Sequence, residues 1–178
     1  MAATEKALLE SYLKQLYLKS FIQNYEPLAE EAVQSNQSYT RYLLALGYRV
    51  VATDIDVSGV MDLACRKDAE IIEADLETGT WPFGERHFDG IVVTNYLYRP
   101  HLPLLAKSLA PGGVLIFDTF ARGNELYGHP RNPDFLLAPN ELLDAFAPEL
   151  AVVAYEHGFE PQPRPAMRQR ICATRRTD

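Results

Sequence analysis

Apolar residues recur at helical spacing through the first part of the chain. Leu8, Leu9, Tyr12, Leu13 and Leu16 form one stripe, and Phe21, Ile22, Tyr25, Leu28, Ala29, Ala32 and Val33 a second; this is the rhythm of amphipathic helices. Pro27 interrupts the second stripe, where a residue without an amide hydrogen kinks or breaks a helix. After a polar linker, Gln34 to Gln37, Ser38 is placed to cap a third helix carrying Tyr39, Tyr42, Leu43 and Leu46, closed by Gly47 in the left-handed conformation.

Beyond Gly47 the pattern changes to short apolar runs separated by helical stretches. Tyr48 to Asp54 has the pattern of a fully buried parallel strand whose tip delivers Asp54 to a sheet edge, where open α/β sheets bind ligands. A short helix over Ser58 to Arg66, with Val60, Leu63 and Ala64 inward, leads to a strand over Ala69 to Ala74 that ends at Asp75. Phe88 to Tyr96 predicts a third strand and Leu102 to Leu109 the helix after it. Pro111-Gly112-Gly113 then turns the chain into a strand over Val114 to Phe120. A long loop, Ala121 to Ala138, precedes a helix over Asn140 to Phe146, with Asn140 as its cap. Ala151 to Glu156 and Gln169 to Thr174 predict an antiparallel hairpin across a proline-rich connection.

Composition narrows the class. The chain has 178 residues, 47% of them apolar, enough for one substantial core with a small appendage. No apolar run approaches the roughly 18 residues of a membrane span, and Glu5 and Glu10 disagree with a signal peptide, so the expected location is the cytoplasm, with no membrane partner. Cys65 and Cys172 are far apart and outside any C-x-x-C; both read as small buried or half-buried hydrophobes. Four histidines are scattered without ligand spacing, so no metal is expected. A net charge of −7 argues against nucleic acid as a partner. Arg164, Arg168, Arg170, Arg175 and Arg176 read as a solvated strand and tail, with a phosphate-binding patch as the alternative.

The strand ending in Asp54, the strand ending in Asp75-Leu76, the run Phe88-Asp89-Gly90-Ile91-Val92 and the turn Leu109-Ala110-Pro111-Gly112-Gly113-Val114-Leu115 resemble class I S-adenosylmethionine-dependent methyltransferases over residues 41–175. The resemblance implies a Rossmann-like α/β fold: a mostly parallel sheet of about six strands with a C-terminal antiparallel hairpin, preceded by helices. Its expected domains are a helical extension over 1–37 and a methyltransferase-like domain over 38–178. The implied cofactor is S-adenosylmethionine. Asp54, with Ile55 beside it, would accept the ribose hydroxyls, Asp75 the adenine amino group, and Leu76 would pack on the ring. Asn95 and Tyr96 would line the pocket near the methyl group. Tyr98, Arg99, His101, Tyr127 and Arg131 are candidate contacts for a small-molecule acceptor, with Arg122, Asn124, His129 and Asn132 in the same long loop.

One family feature is missing. Before the strand that ends in Asp54, such enzymes place another strand, a glycine-rich loop and a helix; here residues 31–38 read Glu-Ala-Val-Gln-Ser-Asn-Gln-Ser. Without glycines the backbone cannot approach the cofactor closely, so binding is expected to be impaired or lost. Residues 6–46 instead resemble the N-terminal helices of IstB-like transposition helper ATPases, through Tyr12 to Leu16, Phe21, Tyr25, Leu28 to Ala32 and Tyr42 to Leu46. That family's phosphate loop, G-x-x-x-x-G-K-[ST], is absent, so ATP hydrolysis is not implied. The two resemblances overlap within Tyr39 to Gly47, as in a natural or artificial fusion or a misread gene boundary. The second functional class is therefore a non-catalytic interaction module, binding a protein partner or a second copy through its N-terminal helices.

Overall fold

The computed structural model describes residues 39–78, 80–162 and 164–177. The two N-terminal helices, the Ser38 cap, the IstB-like stripe up to residue 38 and the 31–38 segment lie outside the described residues. The chain divides into two compact units, one up to Pro82 and one from Phe83.

In the first unit, helix α1 (Tyr39–Ala45) ends as expected. Gly47 has φ +87°, its amide donates to the Leu44 carbonyl at 3.0 Å, and the Tyr48 amide donates to the Leu43 carbonyl at 3.1 Å; this is the two-bond motif that closes a helix with a left-handed residue. Strands β1 (Val50–Asp54) and β2 (Ala69–Glu73) pair in parallel, with Val50 opposite Ala69 and Asp54 opposite Glu73. Their crossover is a 3-10 helix over Ser58–Leu63 rather than the α-helix expected to Arg66. Gly59 weakens an α-helix, and the Arg66 guanidinium is drawn into a two-bond pair with Asp68 at 2.8 and 2.6 Å. Leu44, Val50 and Leu63 are buried, with Leu43, Tyr48, Val60, Ala69 and Ile71 packed against them. Two expectations fail here. Ala64 is exposed, and β1 is half-buried beyond Val50, because β2 is its single partner strand among the described residues.

The second unit is built on a four-stranded sheet in the order β3-β4-β6-β5. Strand β3 (Phe88–Thr94) runs parallel to β4 (Leu109–Phe120); β4 runs antiparallel to β6 (Ala166–Arg175), and β6 antiparallel to β5 (Leu150–Glu160). The fold is therefore mixed α/β and Rossmann-like, with its described strands divided between a parallel pair and this mixed sheet. The expectation of one mostly parallel six-stranded sheet is corrected on this point. The C-terminal hairpin is present and longer than expected: its pairing continues through Gly158–Arg168, Phe159–Met167 and Glu160–Ala166 at one end and Leu150–Arg175 at the other, with Gln169, Ile171 and Ala173 alternating as buried residues along β6. The turn expected at Pro111-Gly112-Gly113 lies inside β4: Phe88 faces Leu109 while Gly90 faces Val114, so residues 110–113 bulge out of the ladder.

Helices α2 (Leu102–Lys107) and α3 (Glu141–Phe146) complete the second unit. Phe146 packs its ring 6.0 Å from that of Phe117, and Leu115, Phe117, Leu142, Phe146, Leu150, Ile171 and Ala173 are buried. Phe83 meets Phe88 edge to face at 5.5 Å. Asn140 does not cap α3. Its backbone is left-handed at φ +63° and its side chain makes no capping bond; the fully buried Gln169 takes that role, accepting from the Leu142 amide at 3.2 Å and donating to the Ala138 carbonyl at 2.7 Å. Cys172 is half-buried as expected, whereas Cys65 is exposed on the turn after Leu63. Among the described residues no helix is long and apolar enough to cross a membrane, and no group of three or more His, Cys, Asp or Glu side chains is placed to hold a metal ion.

Candidate functional site

In the first unit the parallel pair brings two aspartates to one edge. Asp54 ends β1 and is exposed; its carbonyl accepts from the Ala74 amide at 3.0 Å, and its Oδ1 accepts from the Asp56 amide at 3.1 Å. Asp75, two residues past β2, repeats the arrangement: Oδ1 accepts from the Glu77 amide at 2.9 Å, and its carbonyl accepts from the Thr78 hydroxyl at 2.9 Å. Each carboxylate thus shapes its own turn with one oxygen, and Oδ2 of each has no partner among the described residues. Asp56 continues the chain of turns, its Oδ1 accepting from the Ser58 amide at 2.9 Å; the Ser58 hydroxyl and amide hold its carboxyl below the ordinary range. Ile55 is 65% exposed at this edge and Leu76 is half-buried. An exposed isoleucine between two aspartates offers apolar surface beside hydrogen-bond acceptors.

In the second unit the chain leaves β3 through Asn95, whose φ of +52° lies in the left-handed region that asparagine tolerates. Its amide donates to the Asp118 carbonyl at 3.0 Å, extending the β3–β4 ladder by one bond. Its side-chain Oδ1 accepts from Arg168 Nη2 at 2.8 Å. Next comes an aromatic group: the Tyr96 hydroxyl lies 2.9 Å from His101 Nδ1, and Tyr98 meets the His101 ring edge to face at 4.8 Å. His101 is buried and immediately precedes α2, so the ring is withdrawn from the surface and holds the two tyrosines in place.

Arg99 binds this tip to the long loop. Its guanidinium takes both oxygens of Glu141, at 2.6 and 3.1 Å, and donates to the carbonyls of Asp134 at 2.7 Å and Leu136 at 3.1 Å. Burial opposes the Glu141 charge, but the bonds from Arg99 and from the Ala138 amide outweigh it and lower its pKa. Asn124 is buried and ties the same loop to the hairpin, donating to the Pro130 carbonyl at 3.1 Å and accepting from the Met167 amide at 3.2 Å. Asn132 caps a turn through the Asp134 amide at 3.1 Å. Tyr127 is 44% exposed and packs its ring 4.7 Å from that of Phe159, tilted by 40° to it; Phe159 is itself 50% exposed. Arg122, His129 and Arg131 are exposed.

The residues that sequence reasoning missed lie on β4 and β6. Asp118 Oδ1 accepts from Arg168 Nε at 2.7 Å, and its Oδ2 pairs with Arg170 Nε at 3.2 Å. Arg168 lies over the Phe120 ring at 4.5 Å. Arg170 also bonds Glu160 and reaches Glu156 at 3.4 Å; burial works against its charge, but Asp118 and Glu160 raise its pKa on balance. Glu156, Phe159, Glu160, Arg168 and Arg170 line an open groove of about 200 Å³. A solvated strand is therefore the wrong description of Arg168 and Arg170. The signal available was Asp118, a lone carboxylate inside the apolar run Val114 to Phe120, which needs a cation on a neighbouring strand.

No protein-family model matches the sequence, and no curated protein matches it either. The structure is similar to that of TehB from Haemophilus influenzae at 18% identity and a TM-score of 0.60, covering 76% of this chain and 53% of that one. It is similar to an S-adenosylmethionine-dependent methyltransferase from Methanosarcina mazei at 14% identity and a TM-score of 0.59, covering 80% and 89%. The 1,6-didemethyltoxoflavin-N1-methyltransferase of Burkholderia thailandensis, seen with 1,6-didemethyltoxoflavin and S-adenosylhomocysteine, matches at 17% identity and a TM-score of 0.58, covering 100% and 92%. The chain spans about half the length of the TehB chain. The fold is that of the S-adenosylmethionine-dependent methyltransferases.

Proposed function

We propose that this chain is a small-molecule methyltransferase by descent that keeps the nucleoside end of its cofactor site and has lost affinity at the amino-acid end. In this reading the sequence over 38–178 is the methyltransferase-like domain and 1–37 is an extension to it. The observation that carries the proposal is the edge of the β1–β2 pair, with its two exposed aspartates and two carboxylate oxygens that have no partner among the described residues. A vicinal diol donates two hydrogen bonds, and a single carboxylate accepts both. Asp54 would hold the ribose in this way, Asp75 would accept from the adenine amino group, and Ile55 and Leu76 supply apolar surface for the ring. These donor and acceptor types fit an adenosine.

The weakened end lies in the sequence Gln34 to Ser38, which stands where related enzymes have glycines. Side chains in place of glycines would keep backbone amides away from a carboxylate. A loss of ~4 kcal/mol moves a micromolar site to about millimolar. When bound, S-adenosylmethionine supplies a methyl group on a positively charged sulfur, open to displacement by a nucleophile. By the resemblance Asn95 and Tyr96 would line the pocket beside that group, where the Tyr96 ring would offer an aromatic face to the cation. Tyr98, Tyr127 and Arg131 are assigned to the acceptor, with Arg99 and His101 holding their segments in place. Alignment more than a dedicated base governs such a transfer.

Calorimetric titration with S-adenosylmethionine and S-adenosylhomocysteine tests the proposal. The expected dissociation constant is roughly 0.1–1 mM, lost in Asp54→Ala. Unchanged affinity in that variant, or no heat from folded protein at millimolar ligand, would overturn it.

A further inference from the structure

Arg168 sits on β6, 73 residues beyond the asparagine it touches. Its guanidinium is held on three sides: Nε by Asp118 Oδ1 at 2.7 Å, Nη2 by Asn95 Oδ1 at 2.8 Å, and its face by the Phe120 ring at 4.5 Å. Its side chain is 14% exposed, so this geometry is packed in place. An arginine can only donate hydrogen bonds, whereas an asparagine amide has one accepting and one donating end. The end of Asn95 that faces Arg168 must therefore be the oxygen. Asn95 is an exposed residue, and its Nδ2, turned from Arg168, has no partner among the described residues. The left-handed backbone and the bond from the Asn95 amide to the Asp118 carbonyl hold the residue itself in place.

We propose that Arg168 is a positioning residue that fixes the Asn95 side chain with its N–H₂ outward, so that the tip of β3 recognises a hydrogen-bond acceptor on the ligand, a carboxylate or carbonyl oxygen. An amine that can only donate is disfavoured there. This rests on the assignment of Asn95 to the ligand site made above. Asp118 and Arg170 complete the support, because Asp118 divides its carboxylate between the two arginines and aligns Arg168 along the strand.

The side-chain amide signals of Asn95, followed by ¹⁵N-edited NMR in the ligand-free protein, read the orientation directly. In Arg168→Gln they should move to the position of a solvated asparagine, and Arg168→Lys should return them part of the way. Asn95→Asp keeps an acceptor for Arg168 and removes the donor; it should stay folded and bind S-adenosylhomocysteine at least about tenfold more weakly than the wild type. Unchanged Asn95 amide signals in Arg168→Gln would overturn the proposal, as would wild-type affinity in Asn95→Asp. If the wild-type protein does not bind S-adenosylhomocysteine, the proposed function fails, and the amide signals alone decide the orientation.

Discussion

The Arg99 guanidinium holds both carboxylate oxygens of Glu141, at 2.6 and 3.1 Å, across 42 residues of chain. The pair joins the exit of β3 to the start of α3, and Arg99 adds two bonds to carbonyls of the intervening loop. Charge-assisted bonds with this two-point geometry outlast an ordinary surface ion pair. The side chains are 40% and 20% exposed, so solvent screening reduces their contribution. Arg99→Ala should cost about 1–2 kcal/mol in urea denaturation and speed hydrogen exchange at residues 134–136. Wild-type exchange in the variant would mean that burial of Leu136 and Leu137 holds the loop by itself.

The same pair sets an acid limit. The Glu141 carboxyl is lowered in the folded protein from its ordinary value of 4.5. Its contribution to stability is complete above that value and is lost as the pH falls below it, through the depressed folded pKa. Melting temperature measured from about pH 6 down to pH 3 should fall, and Glu141→Gln should fall less steeply over the acid part. An identical slope in the variant would assign the acid loss to other carboxylates.

Gly113 is required by space. A Cβ there would lie 2.8 Å from the Ala110 carbonyl oxygen and 3.0 Å from that of Phe88, both backbone atoms that cannot swing aside. Gly113→Ala should destabilise by about 1–3 kcal/mol. Gly59, with open space around its Cβ position, is the control: Gly59→Ala should stay within ~0.5 kcal/mol of the wild type. Equal effects at the two positions would show that the bulge relaxes.

Gln169→Met keeps the volume of a buried side chain while removing its two hydrogen bonds. The Leu142 amide and Ala138 carbonyl would then lose their partner, at a cost of roughly 2–3 kcal/mol. Chemical denaturation gives the value, and a change below 0.5 kcal/mol would mean that water replaces the glutamine.

Local patterns were legible where the chemistry is local. Gly47 ends α1 because a left-handed residue there closes two backbone bonds, and alternation along residues 151–175 shows a hairpin. Asp54 and Asp75 were visible as carboxylates at strand ends, and both stand at the edge of the β1–β2 pair. Less legible was what each charged group faces. Arg99 looked like a substrate contact and is engaged with Glu141; His101 looked accessible and is buried; Asn140 looked like a cap and Gln169 caps in its place.

The amino-acid sequence by itself determined the order of helices and strands, the strand tips that carry Asp54, Asp75 and Asn95, and the absence of glycines at 34–38. Each depends on residues a few positions apart, through periodicity and turn chemistry. Tertiary structure alone decided that β6 pairs with β4 and that Asn95, Arg168, Asp118 and Arg170 form a network, because strand pairing sets which faces meet. Asp118 faces Arg170 and Phe120 faces Arg168 by the antiparallel register of β4 and β6. A shift of one residue would turn the arginines to the other face of the sheet.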